Sequence, residues 1–344
     1  MKVIKKSNFT KFVGNLIEND HREVVGVQSK SNKFAFDPLE SADDLRLDYD
    51  VTILPPKKYF MPQRETLVEY NTQEGEMETV NEVIPRIILG IHPYDLIAIE
   101  QMDKVFKDNH EDPYYLDKRE QSVLVGVNMV NVSDWSFADT MGTATTNSGY
   151  DVMLTDIGDK YALEVGSAKG SRLVEKAGSA INDIEPEEIK QVKQYKKELP
   201  NKFRDDPKFD PFELPTLLKE YYEKDEFWEE NSEDCLSCGT CNLVCPTCYC
   251  FDVNDVNDLS LTEGERLRTW DGCMLEAFAK VAGDENFREE KAARYRHRYM
   301  RKGRYLYNRF GDIACVGCGR CSAQCLPDIA DPVDIFNQMK EGTQ

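Results

Sequence analysis

Residues 235–250 read CLSCGTCNLVCPTCYC, and residues 315–325 read CVGCGRCSAQC. Each stretch contains Cys-x2-Cys-x2-Cys-x3-Cys, the spacing that ligates [4Fe–4S] clusters. A cubane presents four irons, each iron takes one thiolate, and two copies of the motif therefore predict two clusters. The predicted ligands are Cys235, Cys238, Cys241 and Cys245 in the first motif and Cys315, Cys318, Cys321 and Cys325 in the second.

The residues between the cysteines also fit cluster binding. Gly239 and Gly319 fall inside the two predicted turns, where a residue without Cβ lets backbone N–H groups approach the sulfides. In two-cluster ferredoxins the fourth cysteine of each motif ligates the other cluster, so Cys325 would complete the first cubane and Cys245 the second. One departure is that Leu326 separates Cys325 from Pro327, whereas Pro246 directly follows Cys245 in the first motif. This departure alters the exit of the chain but not the number of ligands.

The distribution of cysteines indicates the cellular setting. A single Cys-x2-Cys pair also fits zinc or a redox dithiol, but two complete motifs favour clusters over zinc. All 11 cysteines lie between Cys235 and Cys325, and unpaired thiols at metal spacing indicate a reducing compartment. The basic N-terminus lacks the apolar core of a signal peptide, and the longest apolar runs are too short to span a bilayer. We therefore expect a soluble, cytoplasmic protein without membrane contact.

Three cysteines lie outside the two motifs, namely Cys248, Cys250 and Cys273. Cys248 and Cys250 follow the first motif directly, so we expect them close to the clusters. One interpretation is a third iron–sulfur cluster whose fourth ligand is Asp271, another carboxylate or a histidine, or a residue of a partner. The alternatives are structural thiols, because free cysteine packs as a small apolar residue, or a site of substrate or redox chemistry.

Residues 1–180 predict a mixed α/β domain. A strand and then a helix within residues 86–106, followed by a second all-apolar strand, indicate a small parallel sheet. Asp95 is a plausible N-cap of that helix. The other predicted elements are a helix at 6–19, a strand at 122–130, and a hairpin within 150–178 that turns at Gly158–Asp159.

The remainder of the chain reads as largely helical. Residues 181–234 are highly charged and predict a helical connector. Residues 235–344 carry both cysteine motifs, separated by an insert that is longer than a compact ferredoxin needs and is rich in helix-forming residues. The predicted fold class is α+β, with an N-terminal mixed α/β docking domain followed by a mostly helical, ferredoxin-like two-cluster domain.

The net charge of −20 is unevenly distributed. Residues 235–344 hold 14 Lys/Arg and 16 Asp/Glu, so almost all of the acidic excess lies in residues 1–234. An acidic chain binds nucleic acid poorly. Its charge fits either solubility or a charged docking surface for a partner subunit. The segment 280–309 is basic, with 10 Lys/Arg. It fits a solvated helix face, a docking site for an acidic electron donor, or positive charge that favours the reduced form of a nearby cluster.

No catalytic motif is visible in the sequence. The histidines form no pattern of zinc ligands, and the glycines match neither a dinucleotide-binding fingerprint nor a P-loop. A nucleophile elbow and the HExxH motif are also absent. Catalysis by this chain alone therefore has no visible site in the sequence.

Several segments together point to one family. They are LPPKKYFMPQRE (54–65), ILGIHPYDLIAI (88–99), GYDVMLTDIGDKYALEVGSAKG (149–170), RTWDGC (268–273) and the two cysteine stretches. The chain resembles the iron–sulfur β subunit of soluble [NiFe] hydrogenases (sulfhydrogenases), which is grouped with the iron–sulfur subunit of anaerobic sulfite reductase. Cys-Pro-Thr-Cys-x-Cys with a later Trp-Asp-x-Cys is more specific than ferredoxin motifs alone, and it favours Cys248, Cys250 and Cys273 acting as a unit.

The resemblance implies a non-catalytic electron-transfer subunit of an oxidoreductase complex. A flavin-containing partner would exchange electrons with NAD(P)H or ferredoxin, and the clusters would pass single electrons to a hydrogenase small subunit or another terminal reductase. The alternative is an iron–sulfur redox sensor or scaffold without a partner reductase. Relatives often carry cysteines at the position of Tyr94 and within residues 128–142, where this chain has none. The resemblance therefore implies that any N-terminal metal site of relatives is absent or altered here.

Overall fold

The computed structural model describes residues 1–342, and the last two positions of the predicted cluster domain lie outside that range. The strands are β1 Lys2–Lys5, β2 Glu23–Lys30, β3 Lys33–Pro38, β4 Arg64–Asn71, β5 Glu76–Thr79, β6 Arg86–Ile91, β7 Ser122–Val127, β8 Val152–Asp156, β9 Lys160–Val165, β10 Ile181–Asp183, β11 Phe251–Asn257 and β12 Glu263–Trp270. The α-helices are α1 Lys6–Asn19, α2 Pro93–Lys107, α3 Pro113–Glu120, α4 Ala168–Glu175, α5 Pro186–Glu198, α6 Leu214–Glu220, α7 Asp225–Ser232, α8 Thr240–Leu243, α9 Lys291–Met300, α10 Leu306–Phe310, α11 Arg320–Ala323 and α12 Pro332–Glu341.

The larger sheet lies in the N-terminal half and has the strand order β10-β1-β9-β8-β7-β6-β2-β3. Its strands β2, β6, β7 and β8 run parallel to one another, so the predicted parallel pairing is confirmed and extended. β7 is buried along its whole length, which is why its sequence is continuously apolar. The predicted hairpin is β8–β9, and Gly158 supplies the positive φ of 97° in its turn. With the helices of the C-terminal half, this sheet confirms the α+β class.

The smaller sheet, β11-β12-β4-β5, is antiparallel and joins distant parts of the chain. Its hairpin β11–β12 follows the first cysteine stretch directly, so Glu263–Trp270, which is rich in helix formers, is a strand and not part of the expected helical structure. The buried side chain of Arg268 (2% exposed) shows why. Its guanidinium binds Glu65 on β4 at 2.6 and 2.8 Å and also Asp112, and these long-range pairs outweigh local helix propensity.

Helix α2 begins at Pro93 with His92 as its N-cap, so the prediction that Asp95 is the N-cap is wrong. Asp95 instead lies in the first helical turn, where the helix dipole favours a carboxylate. Its two oxygens accept hydrogen bonds of 2.6 Å from the guanidinium of Arg320, and both side chains are 0% exposed. A residue of the second cysteine motif is therefore fixed to the first helix after β6.

Apolar packing continues from the larger sheet into the cysteine-rich region. One buried group of residues contains Tyr94, Ala98 and Met129 from the N-terminal half together with Val316 and Cys318 from the second motif. A second buried group surrounds Trp228, where α7 packs against α9. The division into docking domain, helical connector at 181–234 and cluster domain stays a prediction, and helices α5, α6 and α7 occupy the connector.

Candidate iron–sulfur centre

The two cysteine motifs fold into loops of nearly the same backbone shape. Gly239 and Gly319 have φ/ψ angles of 73°/−5° and 75°/−4°, in the left-handed region that glycine adopts without strain. Each glycine caps a short helix, α8 or α11, and these two helices pack against each other. The loops therefore lie side by side, and the predicted role of both glycines in turns is confirmed.

The first cavity lies inside the first loop. Its lining includes Cys235, Cys238, Cys241 and Cys325. Cys325 comes from the second motif, and Cys245 does not contribute, so the lining follows the crossed arrangement that the sequence predicts. Among the described residues that line it, none carries a charged side chain, and Met274, Tyr295 and Ile329 supply apolar surface.

The second cavity is formed by both motifs. Its lining includes Cys245 of the first motif with Cys315, Cys318 and Cys321 of the second. Cys241 lines both cavities, so the two spaces are adjacent. Unlike the first cavity, the second has two basic side chains in its lining, Arg298 and Lys302.

A third cavity brings together Cys248, Cys250 and Cys273. It shares Arg298 and Lys302 with the second cavity. Asp271, the named candidate for a fourth ligand, is not part of its lining, and its carboxylate accepts the Gly272 N–H at 2.6 Å. In the part of the chain that the structure describes, no carboxylate or histidine lines this cavity.

The thiols of the two motifs line cavities. Within residues 1–342, no three His, Cys, Asp or Glu side chains converge closely enough to hold one metal ion. The thiolates around a cubane each bind a different iron, so they stand farther apart than ligands of one ion. Four cysteines arranged around a cavity, rather than around a point, fit that requirement.

Burial controls the protonation of most of these thiols. Burial raises the pKa of Cys241, Cys315 and Cys318 to about 12 each. Cys245 differs, because the charge of Lys302 and its hydrogen bond outweigh the effect of burial and lower the pKa of this thiol. Ligating cysteines must lose their protons, so metal binding at these sites releases protons.

The basic segment 280–309 turns its charge partly inward. Arg294, Arg298 and Lys302 are buried, so a wholly solvated helix face is not what the segment forms. Arg294 donates to the Ser237 hydroxyl in the first loop at 3.0 Å. The positions of Arg294, Arg298 and Lys302 therefore agree with the expectation of positive charge near the cysteine sites.

Two features beside the cysteines carry no recognisable motif in the sequence. Lys57, in the Pro56–Tyr59 3₁₀ turn, is buried, donates to the Cys248 carbonyl at 2.8 Å and lies over the Trp270 ring. Residues 133–143 cover the second loop, since the Phe137 N–H and the Ser136 hydroxyl donate to the Gly317 carbonyl at 2.9 and 3.0 Å. For residues 133–143, the only signal in the sequence is that residues 128–142 lack the cysteines that relatives often carry there.

Comparison with known proteins covers most of the chain. A family model described as a 4Fe-4S dicluster domain matches residues 234–329. The sulfhydrogenase 2 subunit beta of Pyrococcus furiosus is 32% identical over 322 residues, which are 93% of this chain and 92% of that protein. Across the described residues, every helix is too short or too polar to cross a bilayer.

The similarity therefore extends far beyond the cysteine motifs and includes the larger sheet, so the family resemblance seen in the sequence is confirmed. The match to the dicluster model falls on the residues that line the cavities. The chain is thus an iron–sulfur protein that belongs to the sulfhydrogenase β-subunit family.

Proposed function

We propose that this chain is the electron-transfer subunit of a cytoplasmic multisubunit oxidoreductase. It relays single electrons between a flavin-containing subunit, which uses NAD(P)H or ferredoxin, and a hydrogenase small subunit or another terminal reductase. The observation that carries the proposal is the pair of adjacent cavities, each lined by at least four cysteines and sharing Cys241. Two one-electron centres side by side are what a relay requires.

The cysteines present fit two [4Fe–4S] clusters in the crossed arrangement. Cys235, Cys238, Cys241 and Cys325 would hold the first, and Cys245, Cys315, Cys318 and Cys321 would hold the second. When bound, each cubane supplies a one-electron couple whose potential depends on charge, burial and hydrogen bonds to sulfur. The chain itself positions the thiolates and excludes water, and the organic redox chemistry belongs to other subunits.

The first site provides the route to a partner subunit. Cys238 is exposed, whereas Cys315 and Cys318 of the second site are buried. Leu236 and Leu326 flank the first loop and are 60% and 86% exposed. Exposed apolar side chains beside an accessible thiolate suit a contact with another redox protein, so we assign electron exchange with one partner to this edge.

We extend the proposal to a third iron–sulfur cluster at Cys248, Cys250 and Cys273. The third cavity is lined by these three cysteines and adjoins the second, with which it shares Arg298 and Lys302. Its fourth ligand is then either Asp271, once its side chain adopts another rotamer, or a residue of a partner. Asp271→Asn distinguishes these sources, because it removes iron only if the carboxylate is the ligand.

Anaerobic iron and sulfide quantitation with electron paramagnetic resonance (EPR) of the reduced chain tests the proposal. We expect about eight irons per chain from two cubanes and about four more from a third. Fewer than two cubanes contradicts the relay. Cys273→Ala should remove only the third contribution, and an unchanged iron content would contradict the third cluster.

The alternative function is an iron–sulfur redox sensor or scaffold without a partner reductase. Co-purification from the native source separates the two functions. Recovery with a flavoprotein and a terminal reductase supports the relay. Recovery only as an isolated chain with intact clusters supports the sensor or scaffold.

A further inference from the structure

Lys302 is a buried lysine without a carboxylate partner. Its side chain is 8% exposed, and none of the ion pairs formed by residues 1–342 includes it. It donates directly to the Cys245 sulfur and, at 3.0 Å, to the Thr247 hydroxyl. A buried ammonium is costly unless a negative group offsets its charge, and sulfur is the negative group available here.

The backbone around Lys302 holds the ammonium in place. Residues Arg301–Tyr305 form one π-helical turn between α9 and α10, and such turns occur frequently at functional sites. The Lys302 carbonyl accepts the Cys315 N–H at 3.1 Å, which ties the turn to the second loop. Gly303 allows close packing on α6, because a Cβ there would lie 2.3 Å from the Leu218 side chain.

The charge of Lys302 falls on only one of the two four-cysteine sites. Lys302 lines the second cavity, whereas the described lining of the first cavity contains no charged side chain. A cubane with four thiolates is net negative and becomes more negative when it takes up an electron. A fixed positive charge bonded to one of its sulfurs therefore stabilises the reduced form more than the oxidised form.

We propose that Lys302 is a positioning residue that raises the reduction potential of the cluster held by Cys245, Cys315, Cys318 and Cys321. It acts through its charged hydrogen bond to the Cys245 sulfur. No lysine or arginine of residues 1–342 bonds to a cysteine sulfur of the first site, where the partners are the Ser237 N–H and the Thr240 hydroxyl. Electrons that enter at this exposed site therefore move preferentially to the second cluster. The inference rests on the proposed two-cluster function and adds a direction to the step between the clusters.

An EPR-monitored redox titration of the full chain with its clusters tests this role. Lys302→Met removes both the charge and the donor, and we expect the reduction equilibrium of one cubane to shift at least tenfold toward the oxidised form, about 59 mV for one electron. Lys302→Gln keeps a neutral donor and should give a smaller shift. Lys302→Arg keeps the charge and should restore most of the potential. The midpoint of the first cubane, whose cavity Lys302 does not line, serves as the internal reference.

Lys57→Met is the matched control, because Lys57 is also buried beside this run of cysteines but donates to the Cys248 carbonyl rather than to a sulfur. We expect it to shift the same midpoint less than Lys302→Met does. Equal shifts, or no shift in Lys302→Met, would overturn the inference. If Lys302→Met fails to retain its clusters, the Lys302→Gln and Lys302→Arg variants test the inference instead. Midpoints of the second cubane that are identical in both variants and in the wild type would overturn the inference. A wild-type chain without a second cubane contradicts the proposed function itself.

Discussion

The two cysteine loops have the same spacing and the same backbone shape but very different surroundings. The first loop borders an uncharged cavity, and its Cys238 is exposed. The second loop is buried, bordered by Lys302 and fixed to α2 by the pair between Arg320 and Asp95. Cysteine spacing therefore specifies which metal centre a loop suits, whereas residues distant in sequence set how that centre behaves.

Cysteine substitutions test whether the two cubanes have crossed ligands, and they should have the largest effect. Cys245→Ala and Cys315→Ala should each remove the second cubane, about four irons per chain, and their double variant should lose no more. Combining Cys245→Ala with Cys235→Ala should remove both cubanes. Iron and sulfide quantitation measures the loss. An uncrossed arrangement would reverse the pattern, with Cys245→Ala and Cys235→Ala acting on the same cubane.

Removal of one partner of the ion pair behind the second loop should be strongly destabilising. Asp95→Leu leaves the Arg320 guanidinium buried without its carboxylate, and we expect the free energy of unfolding to fall by about 3–5 kcal/mol. Anaerobic urea unfolding of the loaded chain measures this change. The double variant Asp95→Leu with Arg320→Met should recover part of the loss, because no charge then remains buried. A double variant as unstable as the sum of the two single variants would contradict this account.

The turn glycines offer a matched pair of substitutions. Both need a positive φ, so alanine costs about 1–2 kcal/mol of backbone strain at either position. At Gly319 a Cβ would also lie 2.5 Å from the Trp135 carbonyl carbon, whereas at Gly239 it would meet only the Leu275 side chain, which can move. Gly319→Ala should therefore lower the midpoint of urea unfolding more than Gly239→Ala does. Equal losses would show that residues 133–143 do not restrain the second loop.

The smallest effect is expected at the exposed edge of the first loop. Leu326→Glu should slow electron exchange with the co-purifying redox partner several-fold, because a charge replaces apolar contact surface. Leu259→Glu, at the exposed tip of the β11–β12 hairpin, is the control and should leave the rate unchanged. Stopped-flow reduction of the clusters measures both rates. A variant at Leu326 that exchanges electrons at the wild-type rate would remove this edge from the proposed route.

Local features were predictable from the sequence where neighbours in the chain determine them. The helix predicted at 6–19 is α1, because its apolar residues recur at helical spacing and meet the core. The cysteine spacing and the two glycines likewise predicted the loops. Each of these features depends on residues only a few positions apart.

The features that sequence reasoning missed depend on distant partners. Asp95 satisfied the local rule for an N-cap, but its partner Arg320 lies 225 positions away. The segment of β12 contains good helix formers, yet its pairing strand is β4, and Thr66 and Glu265, which bond across these strands, are 199 positions apart. The contact between Lys302 and Cys245 also has no signature in a single sequence, since lysine is usually exposed.

The crossing of cysteines between the two cavities affects when iron can be loaded during synthesis. If each cubane used only its own motif, the first could be filled as soon as Cys245 left the ribosome. Because each cavity is lined by cysteines of both motifs, neither set of four exists until the second motif has been made. At about 5–20 residues per second, the 80 positions from Cys245 to Cys325 add roughly 4–16 s of translation. Under the proposed crossed ligation, metal insertion is delayed until both halves of the site can close together, and products truncated before the second motif lack four cysteines for either cubane.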